Sequence, residues 1–315
     1  MGTATVLRWP ALAPFVLSLR STGFEGDIAL LVEDKWLKAD DYRSLAANQV
    51  QTIRIHQFLS RVPDRLRQLR FHRWLSVVHR YLPRMVAAIA SNSKTRRRLF
   101  HNASAWFHPV MSERHFLYRN YLQSVGIVYS HVILSDVRDV IFQTNPDLWY
   151  SAAALNSFLE PPGVTLAGES HNAYWIRRLY GTSTLAAIGH HRVSCAGVVH
   201  GTLDGITTYL DASTAELSRH TTTVAGENGF DQGVHNFLLR SRGLEGVHVW
   251  ENGEGLVLNM HGLSLNHGNV RSDGIVVDAT GRVIPVLHQY DRHPELGRAI
   301  LRKFDGPSQS QAPTA

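Results

Sequence analysis

The segment Leu134-Ser135-Asp136-Val137-Arg138-Asp139-Val140-Ile141-Phe142-Gln143 sets two carboxylates directly behind an apolar run. Paired acids at the end of a buried strand are suited to hold a divalent cation that bridges phosphate oxygens. Arg138, between them, either lessens their repulsion or faces a second phosphate. The plainer reading of the same residues is a strand-exit turn with a salt-bridged arginine. Three further segments carry chemistry. Ser194-Cys195-Ala196-Gly197-Val198-Val199 offers small side chains that let a ligand approach the backbone. Asp231-Gln232-Gly233-Val234-His235-Asn236 puts an acid and an amide at a helix start, where Asp231 is either a ligand-facing acid or a cap. Val286-Leu287-His288-Gln289-Tyr290-Asp291-Arg292 ends an apolar run in a histidine, an imidazole for a metal already held by carboxylates. Glu169 is a loop acid that can act as a general base or merely brace its loop. Trp175, close by, is an apolar platform for a ring or a core residue.

These residues need elements to hold them, and the pattern is that of alternating strands and helices. Thr3 to Leu7 reads as a strand, Ala11 to Arg20 as a helix, Ile28 to Val32 as a strand, Asp40 to Ala47 as a helix and Gln51 to Ile55 as a strand. Short β-rich runs between helices predict parallel βαβ units. Phe71, Leu75, Val78 and Leu82 recur at helical spacing until Pro83 interrupts them, and Met85 and Ile89 continue the stripe. Glu113 to Gln123 is a helix that Gly126 ends. Ile127 to Leu134 is nearly continuous in apolar character, as a buried central strand is. Val164 to Ala167 and Val193 to Val199 are further strands, the latter broken at Gly197. Gln232 to Leu239 is a helix opened by Asp231. No glycine-rich dinucleotide fingerprint follows the first strand, and there is no Walker loop.

The chain has 315 residues and a formal net charge of +6, from 32 Lys+Arg against 26 Asp+Glu. That balance excludes wholesale disorder and a collagen-like chain. The excess is local: Arg61, Arg65, Arg67, Arg70, Arg73, Arg80, Arg84, Lys94, Arg96, Arg97 and Arg98 stand against Asp64 alone. Such a run is a solvated helix face, a seat for an anionic acceptor or membrane surface, or a nucleic-acid contact. No nucleic-acid module accompanies it, so nucleic acid is not expected. Cys195 is the single cysteine, which rules out an internal disulfide and fits a reducing compartment. The Trp9 to Leu19 stretch lacks the order of a signal peptide, and no run of 18 apolar residues occurs. A cytoplasmic protein is expected, with the inner face of the membrane as a further location.

In order and spacing the set resembles a nucleotide-sugar glycosyltransferase of the GT-A type. Asp136-Val137-Arg138-Asp139 with Val140-Ile141-Phe142 resembles the family's metal motif, with one residue more between the acids than in Asp-x-Asp. Asp231-Gln232 resembles the donor-sugar element of retaining members, and His288 the C-terminal metal histidine. The resemblance implies an α/β fold: one GT-A-like domain over 1–305 with a central, mostly parallel, Rossmann-like sheet flanked by helices. Residues 1–145 would be the nucleotide-binding half, with a basic helical insertion at about 61–98. Residues 146–305 would be the donor-sugar and acceptor half, and 306–315 a flexible tail. It implies Mn²⁺ or Mg²⁺ on Asp136, Asp139 and His288. Thr3, Ala4, Thr5, Arg119, Arg138, Cys195, Ala196, Gly197 and Gln232 would lie at the donor, with Arg114 as another diphosphate partner. Asp231 would orient the donor and steady an oxocarbenium-like centre in a retaining enzyme, whereas an inverting one would use Glu169, or else Asp231, as its base. The expected reaction moves a sugar from a nucleoside diphosphate, UDP by default, to a saccharide, lipid-linked or small-molecule hydroxyl. Two other classes compete. A metal-dependent phosphohydrolase would release inorganic phosphate. A basic binding protein would depend on Arg61 to Arg98 and tolerate loss of Asp139 and His288.

Overall fold

The computed structural model describes residues 1–55, 71–105, 107–220, 227–241, 244–265 and 269–304. The opening elements are β1 (Gly2–Thr3), α1 (Trp9–Ser21), β2 (Ile28–Val32), α2 (Ala39–Ala47) and β3 (Val50–Arg54). All five residues of β2 are buried, as expected of a strand covered on both faces. After these come α3 (Phe71–Ala88), α4 (Ser93–Ala105) and α5 (Val110–Ser124). Then follow β4 (His131–Ser135), β5 (Val140–Phe142), β6 (Leu155–Leu159), α6 (Ser170–Ile188), β7 (Ser194–Thr202) and α7 (Leu203–Arg219). The chain closes with α8 (Phe230–Ser241), β8 (Val247–Trp250), β9 (Val257–Asn259), β10 (Val286–His288) and α9 (Pro294–Phe304).

Seven strands form one sheet in the order β3-β2-β1-β4-β7-β6-β8. All run one way except β7, which is antiparallel to both β4 and β6. The expected α/β class with a mostly parallel sheet is therefore present. A small second sheet, β5-β10-β9, pairs β10 antiparallel to β5 and parallel to β9. Two buried clusters cover the faces of the large sheet. One gathers Phe15, Leu19 and Phe142 under α1. The other gathers Tyr118, Val132, Leu134 and Tyr209 under α5 and α7.

Several expectations from sequence are corrected. The opening strand is shorter than Thr3 to Leu7, because the chain turns away after Thr5 and Val6 takes a left-handed φ of 58°. The helix at Phe71 runs through Pro83, which costs one backbone hydrogen bond without breaking it. Pro83, Ala87 and Ala90 are its buried side, so Met85 and Ile89 are 66% and 82% exposed. Ile127 and Val128 precede β4 and are exposed. Val164 to Ala167 is no strand; Thr165 makes one isolated bridge to Arg192. β7 continues as a strand past Gly197, but its register against β6 shifts between Cys195 and His200, a bulge that contains Gly197.

Of the basic run, Arg61, Arg65, Arg67 and Arg70 lie outside the described residues, as does the tail 306–315. Arg84 and Arg96 are exposed. Among the described residues no helix is long and apolar enough to cross a membrane.

Candidate metal and donor site

The acids and the histidine meet because of strand register. β10 pairs with β5 so that His288 lies opposite Val140, one residue beyond Asp139. The Gln289 amide then donates to the Asp139 carbonyl at 2.7 Å, from a left-handed turn with φ 62°. On the other side, β4 pairs Ser135 with Val198 of β7, and the Asp136 amide donates to the Gly197 carbonyl at 2.6 Å. Asp136, Asp139 and His288 thus offer ligand atoms that all lie within 4.8 Å of one another. His288 Nε2 is 3.5 Å from Asp136 Oδ2 and 3.9 Å from Asp139 Oδ1. Two ligands on one octahedral ion at bonds of ~2.1 Å stand roughly 3 to 4 Å apart, so these separations fit a single cation.

The histidine is also set in the right tautomer. Asn259, at the end of β9, donates its amide to the carbonyls of Leu159 at 2.9 Å and Phe158 at 3.4 Å. Carbonyls only accept, so the Asn259 Oδ1 must face His288 Nδ1, 2.8 Å away. Nδ1 therefore carries a proton and donates it to Asn259. That makes Nε2 the nitrogen on the carboxylate side; burial opposes charge on the ring, but Cys195 and Asp136 raise it well above the usual imidazole value, so Nε2 carries a proton that a bound cation would displace.

Arg114 of α5 joins this cluster to Asp231 of α8. One of its Nη atoms bonds Asp136, and the other bonds Asp231 at 2.9 Å. Burial works against each of these charges, but the guanidinium holds Asp231 and Asp136 below the usual carboxylate range, with His288 assisting at Asp136. Asp139 goes the other way: burial pushes its carboxyl up, and Asp136 adds to the effect. Arg114 and the protonated His288 offset part of the charge of the three carboxylates; a divalent cation would take the place of the His288 proton.

Gly197 belongs to this geometry. A Cβ there would stand 2.3 Å from His288 Cε1 and 2.9 Å from Asp136 Oδ2. The small residue makes room for two ligand side chains, not only for an approaching substrate.

The other expected donor residues fall as follows. Cys195 is buried with its sulfur 3.6 Å from His288 Nδ1. Ala196 is held by Gln232, whose Oε1 accepts from the Ala196 amide at 2.7 Å and whose Nε2 donates to the Ser194 carbonyl at 3.0 Å. Asn236, one turn on, bonds Ser194 on both its amide and its carbonyl. The two amides of α8 thus act as a surrogate strand along the start of β7, and the Gln232 side chain is committed to backbone. Ala4 and Thr5 are buried beyond the end of β1, and Thr3 Oγ1 is 2.7 Å from the Tyr118 hydroxyl. Arg138 is half exposed and bonds Asp291 at 3.2 Å and Asp139 at 3.7 Å.

Arg119 and Glu169 are not brought into the cluster. Arg119 lies one helical turn beyond Arg114 and pairs with Asp211 of α7. Glu169 is the N-cap of α6: its carboxylate accepts from the amides of Asn172 at 2.7 Å and His171 at 3.0 Å. Burial opposes its ionisation, but those bonds bring it down to about 2. Trp175 packs with Leu179, Phe230 and Val234, and a Cβ at Gly229 would overlap its ring.

Two residues of the site were missed from sequence. Asn259 ends Leu256-Val257-Leu258 just as His288 ends Val286-Leu287, and that repeated apolar-then-polar strand ending was the available signal. Glu160, just beyond β6, is a buried carboxyl that bonds the Cys195 thiol, and burial raises it.

No protein-family model matches the chain, and no curated protein matches it. Solved structures of LgtC do. An active-site mutant of LgtC is 12% identical, with 98% of each chain covered and a TM-score of 0.46. The galactosyltransferase LgtC in complex with donor and acceptor sugar analogues is 13% identical at the same coverage and TM-score. No residue role follows from a likeness this distant.

Proposed function

We propose that this protein is a metal-dependent glycosyltransferase acting on a nucleoside-diphosphate sugar, UDP-linked, with retention at the anomeric carbon. The observation that carries the reading is the convergence of Asp136, Asp139 and His288 beside Asp231 at one end of the large sheet. In open α/β sheets, ligands bind outside the carboxyl ends of the strands, and Asp136 and Glu160 directly follow two such ends.

Mn²⁺ or Mg²⁺ on Asp136, Asp139 and His288 would supply the positive charge that offsets charge building on the departing phosphate. The imidazole in the set favours Mn²⁺ over Mg²⁺. The chain's own residues do the rest. Asn259 holds the proton on His288 Nδ1, so Nε2 is the nitrogen offered to the cation. Arg114 holds Asp136 and Asp231 ionised and at fixed separation. Asp231 in its ionised form steadies a cationic anomeric centre, as a preorganised charge in a dry site can. Thr3, Ala4 and Thr5 border the nucleotide, and Cys195 to Gly197 border the sugar. The acceptor is a saccharide, lipid-linked or small-molecule hydroxyl.

The test is thermal melting with UDP and UDP-sugars, with and without Mn²⁺. Ligand at about 100 times its Kd stabilises the native state by about 2.7 kcal/mol, which a melt resolves. Stabilisation by UDP that needs Mn²⁺, and that disappears in both Asp139→Ala and His288→Ala, supports the reading. Indifference to every nucleotide, or release of inorganic phosphate in place of nucleoside diphosphate, counts against it.

A further inference from the structure

The charge excess of the sequence falls on α3 and α4 without a counterweight. From Phe71 to Ala105 there is no aspartate and no glutamate, whereas Arg80, Arg84, Lys94, Arg96, Arg97 and Arg98 all lie in that stretch. The helix pair is held on the body of the protein. His101 Nδ1 of α4 is 3.0 Å from the Ser218 hydroxyl of α7, and Asn102 accepts from the Asn120 amide of α5 at 2.9 Å. Arg96 ties α4 to the chain just beyond α3 through a bond from its Nη2 to the Ala90 carbonyl at 3.2 Å.

The end of α3 turns its large apolar residues outward. Tyr81, Met85 and Ile89 follow one another at four-residue spacing, which sets them on one face. They are 52%, 66% and 82% exposed. The buried side of the same stretch is made of smaller residues, Pro83, Ala87 and Ala90. A helix that closes a core does the reverse and puts its large apolar side chains inward. Ala88 widens the outward stripe and Arg84 borders it, both exposed. An open cleft beside the stripe is lined by Arg84, Ala87, Ala88, Ser93, Arg96 and Phe100.

We propose that this face docks on an anionic phospholipid bilayer, with Tyr81, Met85 and Ile89 entering the headgroup boundary and Arg84 and Arg96 among the phosphates. Helices that lie in the plane of a membrane surface combine apolar and aromatic side chains with Lys and Arg in this way. The pairing of stripe and charge argues against other occupants. A second copy would set one acid-free surface against another. A nucleic acid would answer the arginines through its phosphates but leave Met85 and Ile89 without an apolar partner. An anionic leaflet supplies both, because its negative surface attracts each nearby cation and its acyl boundary takes the apolar stripe.

The test is co-sedimentation of the full chain with phosphatidylcholine vesicles and with vesicles that also contain phosphatidylglycerol. Binding is expected to need phosphatidylglycerol and to weaken as salt is added. Arg84→Gln and Arg96→Gln should each lower vesicle affinity by about fivefold, the equivalent of one cation at an anionic surface. Met85→Ser and Ile89→Ser combined should lower it by about tenfold or more, with the melting temperature of the wild type. Val128→Ser, at an apolar residue exposed elsewhere on the surface, should bind as the wild type does. Failure to sediment with phosphatidylglycerol vesicles would overturn the proposal, as would sedimentation indifferent to the Met85 and Ile89 changes. Duplex DNA bound as tightly as the vesicles, and equally well by that double variant, would overturn it in favour of nucleic acid. Self-association that the double variant abolishes would overturn it in favour of a second copy.

Discussion

His288 is the residue on which the site turns, and its usefulness depends on which nitrogen carries the proton. Asn259 puts an acceptor 2.8 Å from Nδ1, and it cannot flip because its amide nitrogen is held by Leu159, so Nδ1 keeps its proton and Nε2 is the nitrogen a cation would take. Hydrogen-bond partners of metal-bound histidines are typically worth about 10- to 100-fold in metal affinity. Asn259→Ala should therefore weaken Mn²⁺ binding by about that factor, measured by titration of the free-ion electron-paramagnetic-resonance signal. His288→Ala in the same assay gives the scale of losing the ligand itself. Wild-type affinity in Asn259→Ala would mean that the ring is oriented by its neighbours Cys195 and Gly197 alone.

Among the elements, α6 and α8 show two uses of polar residues at helix starts. Glu169 caps α6 from outside, and its carboxylate lies on the helix's free amides. A capping acid contributes about 1 kcal/mol, so Glu169→Ala should lower urea-unfolding stability by about that much at neutral pH. Its carboxyl falls from an ordinary 4.5 to about 2 in the folded chain. A depressed acid stabilises fully above its unfolded pKa and loses that contribution as pH falls through the folded one. The gap between wild type and Glu169→Ala should thus close between about pH 5 and pH 2. A gap in sugar-transfer rate far larger than the stability gap would instead assign Glu169 to catalysis. Asp231 and Gln232, by contrast, sit inside α8, one on Arg114 and the other on β7. The sequence made Asp136 and His288 legible because each ends an apolar run that had to be a strand, and strand ends face one way; Asp139 was legible from the apolar Val140-Ile141-Phe142 that follows it. The bond from Arg114 to Asp231 was not legible. It spans 117 residues and depends on how α5 packs against α8. β7 was read as broken at Gly197 because glycine weakens an isolated strand. The strand continues but bulges there against β6, and the missing side chain makes room for the ligands.

At the scale of the whole molecule, burial lowers several interior histidines, whereas His288 beside Asp136 is raised. His235 of α8 is fully enclosed, with Nδ1 2.9 Å from the Tyr209 hydroxyl and Nε2 within 3.1 Å of the Ser157 and Ser194 hydroxyls. His200 of β7 is stacked on His131 and lies edge-on to Trp149. Burial lowers His235 to about 3 and His200 to about 4, with the His131 charge adding to the second. Unfolded, both take up a proton near 6.5, so below that pH the unfolded chain binds more protons than the native one. Stability must then fall as pH falls, by about 1.4 kcal/mol per pH unit for each histidine. The loss runs from about pH 6.5 to the folded values. Asp139 and Glu160 act in the opposite sense, because burial raises their carboxyls. Their two carboxyls stand against the several histidines that burial lowers. Urea midpoints for wild type should drop steeply across that interval, and His235→Gln, which keeps a polar side chain without a titrating ring, should show a shallower drop. Parallel curves for the two proteins would remove His235 from the account and leave the acid sensitivity to the other histidines that burial lowers, His200, His115, His191 and His220.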